Sequence, residues 1–168
     1  MVEISKIPEI FIKVVSSPFE RKDLIILGNK DIWIKPGVAI DGVDLAGVSL
    51  PNGNLKNAFL KSVDLSDADL KHANLFKAHL EKVKLKNADL SNANLFQTVF
   101  KDGDLKNVNM KNANLAGAVF DNVNIKGADL SHANLCQTQF INVDFQDVNI
   151  PHANIFHTKG TDTYCILK

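Results

Sequence analysis

Three histidines are the residues best suited to metal chemistry, because imidazole nitrogen is a common ligand of zinc. They lie at multiples of twenty residues from one another, at His72, His132 and His152. Asparagine occupies the equivalent places elsewhere in the chain, at Asn52, Asn92 and Asn112. Histidine is therefore also explained as one more polar turn residue, and the cysteine and histidine spacings typical of zinc sites are absent. We expect neither a metal nor another cofactor.

The indication of nucleophilic catalysis rests on composition alone. Asp129, Ser131 and His132 supply the residue types of a catalytic triad. A triad also needs a site that orients these side chains and excludes water, and outward side chains on a repetitive surface do not provide one. The glycines are scattered and form no phosphate-binding loop. We therefore predict that the chain has no catalytic residues and is not an enzyme.

The elements that position these residues are repeats of five and of twenty residues. Every fifth residue from Ile40 to Ile155 is Ile, Leu, Phe or Met, and the residue two places earlier is small or β-branched. A period of five matches neither an α-helix nor a flat strand. Residues of one type also recur every twenty positions, as in Phe100, Phe120 and Phe140. The pattern predicts a chain that turns a corner every five residues and stacks its coils twenty residues apart.

Units such as Ala73-Asn74-Leu75 match the consensus A(D/N)LXX, and on these units the sequence resembles the pentapeptide-repeat family. The resemblance covers most of the chain. It implies the family's fold, a right-handed parallel β-helix of square cross-section in which four units make one coil. We therefore expect an all-β solenoid of about six coils, whose leucine, phenylalanine and small-residue columns fill the interior.

The repeat divides the chain into three parts. We predict an N-terminal cap segment of residues 1–37, a β-helix of residues 38–158 and a C-terminal tail of residues 159–168. The apolar residues from Ile4 to Val14 are consistent with a short helix or a strand, and the runs Leu24–Leu27 and Ile32–Ile34 with a hairpin or an irregular first coil. Stacked repeats need a cap over their end layer, and the N-terminal segment is the candidate.

The charge and the apolar runs exclude several classes of partner. Nineteen basic and nineteen acidic side chains cancel, so no net field favours nucleic acid or an anionic membrane. No apolar run is long enough to span a bilayer, and charged residues interrupt the N-terminus, unlike a secretory signal. Cys136 and Cys165 are too few for a disulfide framework. We expect a soluble, cytoplasmic protein.

The residues most informative about function lie on the predicted outside of the coils. The residue after each centre should point to solvent, and in one column these residues are Phe76, Phe96, Ala116, Cys136 and Phe156. Across one corner, the neighbouring column includes Phe59, Val99 and Val119. We name these eight residues the apolar ridge. We predict that they bind a protein partner or a second copy of the chain, because contiguous apolar surface usually marks a contact.

Two structural explanations of the apolar ridge are also open from the sequence. Residues 1–37 can fold back over part of it, or the corner itself can half-bury its side chains. The functional explanation is a contact surface, of which a homodimer is one form.

Two functions are compatible with these observations. The first is a non-enzymatic scaffold that binds protein through its outer faces and the apolar ridge. The second follows from the resemblance, since some pentapeptide-repeat proteins mimic DNA, bind DNA gyrase or another type II topoisomerase and protect it from quinolones. A DNA mimic needs an acidic surface, but residues 38–158 contain thirteen acids against eleven lysines. The charge favours the scaffold.

Overall fold

The N-terminal part of the chain forms a three-stranded antiparallel sheet. The structure, a computed structural model, describes residues 10–17, 20–27 and 30–160. The strands are β1 (Ile10–Ser17), β2 (Glu20–Leu27) and β3 (Lys30–Ile34), in the order β1-β2-β3. Of the two alternatives for the first apolar segment, residues 10–17 thus form a strand, and β2 and β3 form a hairpin in which Ile25 pairs with Ile32. The beginning of that segment, at Ile4 and Ile7, lies outside the described residues.

The following residues form a parallel β-solenoid, as the two periods predict. One side of it is a sheet of seven parallel strands, each paired with the strand twenty residues away. These strands are β4 (Ala39–Asp41), β5 (Phe59–Lys61), β6 (His79–Glu81), β7 (Val99–Lys101), β8 (Val119–Asp121), β9 (Gln139–Ile141) and β10 (Lys159–Gly160). The other sides pair through isolated parallel bridges, such as Asn54 with Asn74. Over the described ranges there is no helix, and so none long and apolar enough to cross a membrane.

Each corner of a coil is a tight turn that contains one residue with a left-handed backbone. Every fifth residue from Gly37 to His157 has a φ between 51° and 73°. The next backbone N–H donates to the carbonyl oxygen of the preceding centre, as from Ala78 to Leu75 at 2.9 Å. This arrangement is that of a type II turn, which favours glycine or asparagine at its left-handed position. Asparagine and glycine occupy many of these positions, and their tolerance of positive φ allows the chain to turn there.

The apolar centres fill the interior of the solenoid. Every centre from Ile40 to Phe140 is buried. The rings of Phe100, Phe120 and Phe140 stack along the axis with 4.7 and 4.9 Å between successive centroids. In the last described coil the centres Phe145, Ile150 and Ile155 are only half-buried, because a coil at the end of a stack has a neighbour on one side alone.

The small inward residues leave room for these centres and satisfy the backbone where they are polar. Alanine occupies one whole inward column, at Ala73, Ala93, Ala113, Ala133 and Ala153. The buried Thr98 donates its hydroxyl to the carbonyl oxygen of Leu75 at 2.7 Å, and Thr138 donates to that of Leu115 at 2.9 Å. Among the described residues, no buried side-chain nitrogen or oxygen lacks a hydrogen-bond partner. The interior is thus apolar in its centre and fully paired at its edge.

Candidate protein-binding surface

The apolar ridge follows one corner of the solenoid, and its first column lies just before that corner. The column consists of residues that directly follow buried centres: Phe76, Phe96, Ala116, Cys136 and Phe156. The rings of Phe76 and Phe96 stack with 5.5 Å between centroids and 12° between planes. Phe156 has 63% of its surface exposed, and the other four residues are half-buried. This column therefore presents aromatic surface to solvent at both ends.

The second column of the apolar ridge lies just after the same corner, on the seven-stranded sheet. Its apolar members are the first residues of β5, β7 and β8, namely Phe59, Val99 and Val119. Val99 and Val119 are register partners on adjacent strands. Phe59 is 56% exposed and stacks on His79 with 5.1 Å between ring centroids. Because His79 and Gln139 occupy the same column, this half of the ridge is apolar with polar interruptions.

The structure bears differently on the two structural explanations of the ridge. Six of its eight residues are half-buried, as expected where side chains lean on a corner, but Phe59 and Phe156 remain exposed. The corner therefore accounts for part of the pattern and not for its two ends. The prediction that residues 1–37 cover part of the ridge concerns side chains outside the described ones, and it stays a prediction.

A depression interrupts the corner beside the ridge, and the sequence reasoning missed it. It has a volume of about 420 Å³ and is lined by Gln97, Gly117, Gln137, Gln139, His157 and Lys159. The consecutive small residues Ala116 and Gly117 are the signal that could have located it. Gly117 has a φ of 67°, and a Cβ atom there would lie 3.2 Å from the Cγ of Gln97. The absence of side chains at these corners opens the surface between larger neighbours.

An asparagine ladder runs beside the first column of the ridge. The residue before each centre on this face is asparagine in every coil: Asn54, Asn74, Asn94, Asn114, Asn134 and Asn154. The Asn134 side chain accepts a hydrogen bond from the Cys136 N–H at 3.2 Å and donates to the Oδ1 of Asn114 at 3.3 Å. The Asn154 amide donates to Asn134 in the same way, at 3.1 Å. The amides thus pair along the stack and across each turn.

The family to which these coils belong follows from the sequence comparison. The pentapeptide repeats family matches in eight copies, over residues 40–75, 64–102, 73–112, 104–135 and 119–155. The chain belongs to the pentapeptide repeat family. None of the curated proteins compared with it matches its sequence.

Solved structures of other pentapeptide repeat proteins resemble the chain. One is from Nostoc PCC 7120, with 31% identity over 64% of this chain and 84% of that one, and a TM-score of 0.30. A second, from the thylakoid lumen of Arabidopsis thaliana, has 32% identity over 59% and 69%, and a TM-score of 0.34. A third is QnrB1, a plasmid-mediated fluoroquinolone resistance protein, with 17% identity over 79% and 86% and a TM-score of 0.35.

Cations lie at the lower end of the ridge of this pentapeptide repeat protein. The ammonium groups of Lys56 and Lys77 are each 5.3 Å from the ring centroid of Phe76. At this distance a cation is attracted to the face of an aromatic ring. The outward positions on the face that carries Phe76 include no aspartate or glutamate in any coil. This face is therefore uncharged apart from its two lysines and one histidine, His157.

Carboxylates are confined to the other faces, where the turns hold three of them in the charged form. Burial raises the pKa of Asp89, but hydrogen bonds from the hydroxyl and the backbone N–H of Ser91 and the charge of Lys71 outweigh it. The pKa therefore lies below its ordinary value. The pKa of Asp64 and that of Asp129 are lowered against burial by the same pairing with the serine two residues on. These contacts are local, and they mark turns rather than a reactive site.

The structure brings two of the three candidate metal ligands together. The rings of His132 and His152 stack with 4.9 Å between centroids, whereas His72 lies three coils from His132 in the same column. All three have a left-handed backbone, as do the asparagines that share their column. In the described part of the chain no three groups of ligand type are close enough to hold a metal ion. The turn geometry is the explanation that these histidines share with Asn52, Asn92 and Asn112.

Proposed function

We propose that this protein is a non-enzymatic scaffold that binds another protein through the apolar ridge. The observation that carries the proposal is the aromatic surface on an otherwise polar exterior: the stacked Phe76 and Phe96, with Phe59 and Phe156 exposed at the two ends. Aromatic side chains are enriched at the centres of protein interfaces, where they supply much of the binding energy. A cytoplasmic location, in which Cys136 remains a free thiol, is part of this proposal.

The rigidity of the solenoid supports the same function. The ridge side chains stand on backbone that is hydrogen-bonded to the coils above and below, as at Gln97 and Ala116, 3.0 Å apart between N and O. A surface held in place before binding loses little conformational entropy when a partner is bound. The asparagine ladder adds to this effect, since its amides already pair with one another.

Binding to gyrase as a DNA mimic is the competing proposal, and the surface charge does not support it. The solenoid has thirteen acids against eleven lysines over residues 38–158, and the ridge face carries no acid. A DNA mimic would need a continuous negative surface. A supercoiling assay with gyrase and a quinolone tests this alternative, and we expect no recovery of activity on addition of the protein. Recovery at micromolar protein would replace the scaffold proposal.

A pull-down from lysate of the source cells tests the scaffold proposal itself. The bait is the wild-type chain, and the ridge variant is Phe96→Glu, which places a charge on a half-buried outward side chain. The matched control is Lys86→Glu, at the equivalent turn position on another face of the solenoid. We expect circular dichroism to show that both variants are folded, and we expect specifically bound proteins to be lost only with Phe96→Glu. Retention of the same proteins by Phe96→Glu would contradict the proposal.

A further inference from the structure

The size of the side chains along the first column of the ridge changes at its middle. In coil order the outward residues are Lys56, Phe76, Phe96, Ala116, Cys136 and Phe156. The stacked rings of Phe76 and Phe96 project on one side of the middle, and the depression at Ala116 and Gly117 lies on the other. A projection and a depression at equal distances from a midpoint are what a self-complementary surface requires.

We propose that the apolar ridge binds a second copy of this chain, with the two solenoids side by side and antiparallel. The two-fold axis would pass between Phe96 and Ala116, perpendicular to the solenoid axis. This inference rests on the proposed function of the ridge as a protein-binding surface, and it specifies the partner. In this arrangement each column faces the same column of the second copy in reverse order, as in any isologous contact.

The reversed order matches large residues with small ones along the first column. Phe96 of one copy faces Ala116 of the other, and Phe76 faces Cys136, so that both aromatic rings of each copy enter the depression of its partner. Lys56 faces Phe156, which is the most exposed aromatic residue of the ridge. A lysine over an exposed ring is a favourable cation–π contact, and Lys56 already lies close to the ring of Phe76 within its own chain.

The second column shows the same complementarity. Counting coils from the same midpoint, Val99 faces Val119, and Phe59 at one end faces Lys159 at the other. The two most exposed phenylalanines of the ridge, Phe59 and Phe156, would thus each lie opposite a lysine. The parallel arrangement, in which every coil faces its own equivalent, would instead place Lys56 and Lys159 next to their own copies. Like charges that face one another oppose association, so the antiparallel pairing is favoured.

The face beside the ridge can be buried at little cost. Its outward positions contain no carboxylate, so no unpaired negative charge would be taken out of water. The asparagine amides are paired along the ladder, as between Asn94 and Asn74 at 3.4 Å and between Asn154 and Asn134 at 3.1 Å. Polar groups that already have partners lose less on desolvation than free ones.

The dimensions of the ridge are compatible with a reversible dimer. The seven stacked strands at about 4.8 Å spacing give a height of roughly 29 Å. With a contact width of about 20 Å, each copy would bury on the order of 600 Å², which is at the lower end of specific interfaces. The dimer should therefore form at micromolar or higher concentration rather than be permanent.

A disulfide crosslink tests the antiparallel register. In a Cys165→Ser background, Phe76→Cys introduces a thiol that would face Cys136 of the second copy. Within one chain, positions 76 and 136 are three coils apart, about 14 Å, which is too far for a disulfide. We expect mild oxidation to give a covalent dimer in which peptide mapping joins position 76 to position 136. The matched control, Lys86→Cys in the same background, should give no link to Cys136.

The crosslink has two outcomes that would overturn the proposal. Failure to crosslink at high micromolar concentration would exclude this contact, and disulfides between equivalent positions, 76 with 76 or 136 with 136, would indicate a parallel arrangement instead. Sedimentation equilibrium provides the second measurement on the unmodified chain. We expect Phe96→Glu to raise the dimer dissociation constant about tenfold or more and Lys86→Glu to leave it nearly unchanged.

The failure of this inference differs from the failure of the proposed function. If the wild-type chain is monomeric and forms no crosslink, yet Phe96→Glu abolishes capture of a cellular protein, the ridge binds a different protein and the dimer is excluded. If Phe96→Glu changes neither self-association nor any captured protein, the ridge is not a binding surface and both proposals fall.

Discussion

At the scale of single residues, the aspartates before the turns illustrate how local contacts set the charge state of this protein. Asp64, Asp89 and Asp129 each accept a hydrogen bond from the backbone N–H of the serine two residues on, at 3.0, 2.9 and 2.9 Å. These bonds stabilise the carboxylate more than burial destabilises it, and they lower all three pKa values. The folded state thus binds protons less readily than the unfolded chain.

We therefore predict that the free energy of unfolding falls in acid. A carboxyl whose pKa is lower in the folded state stabilises the fold above its unfolded pKa, and this stabilisation is lost as the pH falls through the folded pKa. The loss should occur below about pH 4, the unfolded value of aspartate. Urea titrations at pH 7 and pH 3 measure it. Asp89→Asn, which keeps an acceptor but cannot titrate, should reduce the difference, and an equal pH dependence in this variant would contradict the assignment.

At the scale of the elements, the corner turn decides how the chain closes each coil. Every fifth residue needs a positive φ, a conformation that costs an ordinary L-residue about 1–2 kcal/mol. Asparagine and glycine reduce this cost, but Lys77, Lys82 and Gln97 also hold such positions, with φ of 54°. Stacking on neighbouring coils and the hydrogen bond across each turn must compensate there.

We predict that Lys82→Gly stabilises the solenoid. Glycine adopts the required φ without strain, so the free energy of unfolding should rise by about 0.5–1 kcal/mol. The matched control is Lys86→Gly, in the same coil but outside the left-handed positions. There the added freedom of the unfolded chain should lower stability by about 0.5–1 kcal/mol. Urea unfolding of the two variants gives both values, and a shift of the same sign in both would show that the turn conformation is not the cause.

The elements also show how far the sequence alone predicts this protein. The five-residue period predicts the buried centres and the corners, because a residue such as Leu95 can point inward only if the chain turns every five positions. It does not predict the N-terminal strands, since β-branched residues around Ile12 and Val14 suit a strand or a helix. The outward ridge was identified from Phe76 and Phe96, whereas the depression at Gly117 depends on the shape of several neighbouring side chains.

At the scale of the whole molecule, the solenoid is a one-dimensional stack in which each coil contacts only its neighbours. A central coil is held from both sides, and its centres are completely buried, as at Leu95 and Leu115. The last described coil has one neighbour, and its centre Ile155 is only half-buried. The effect of a disruptive substitution should therefore depend on where in the stack it lies.

We predict that Leu95→Asp and Ile155→Asp have different consequences. An unpaired carboxylate in place of Leu95 would be buried without a partner, which should cost at least about 4 kcal/mol and disrupt the coils on both sides. The same charge in place of Ile155 can reach water once the last coil frays, so most of the stack should persist. Circular dichroism and urea unfolding distinguish the two, since Leu95→Asp should lose most of the strand signal and Ile155→Asp should mainly lower the m-value. Equal losses in both variants would mean that the coils unfold as a single unit rather than from the end.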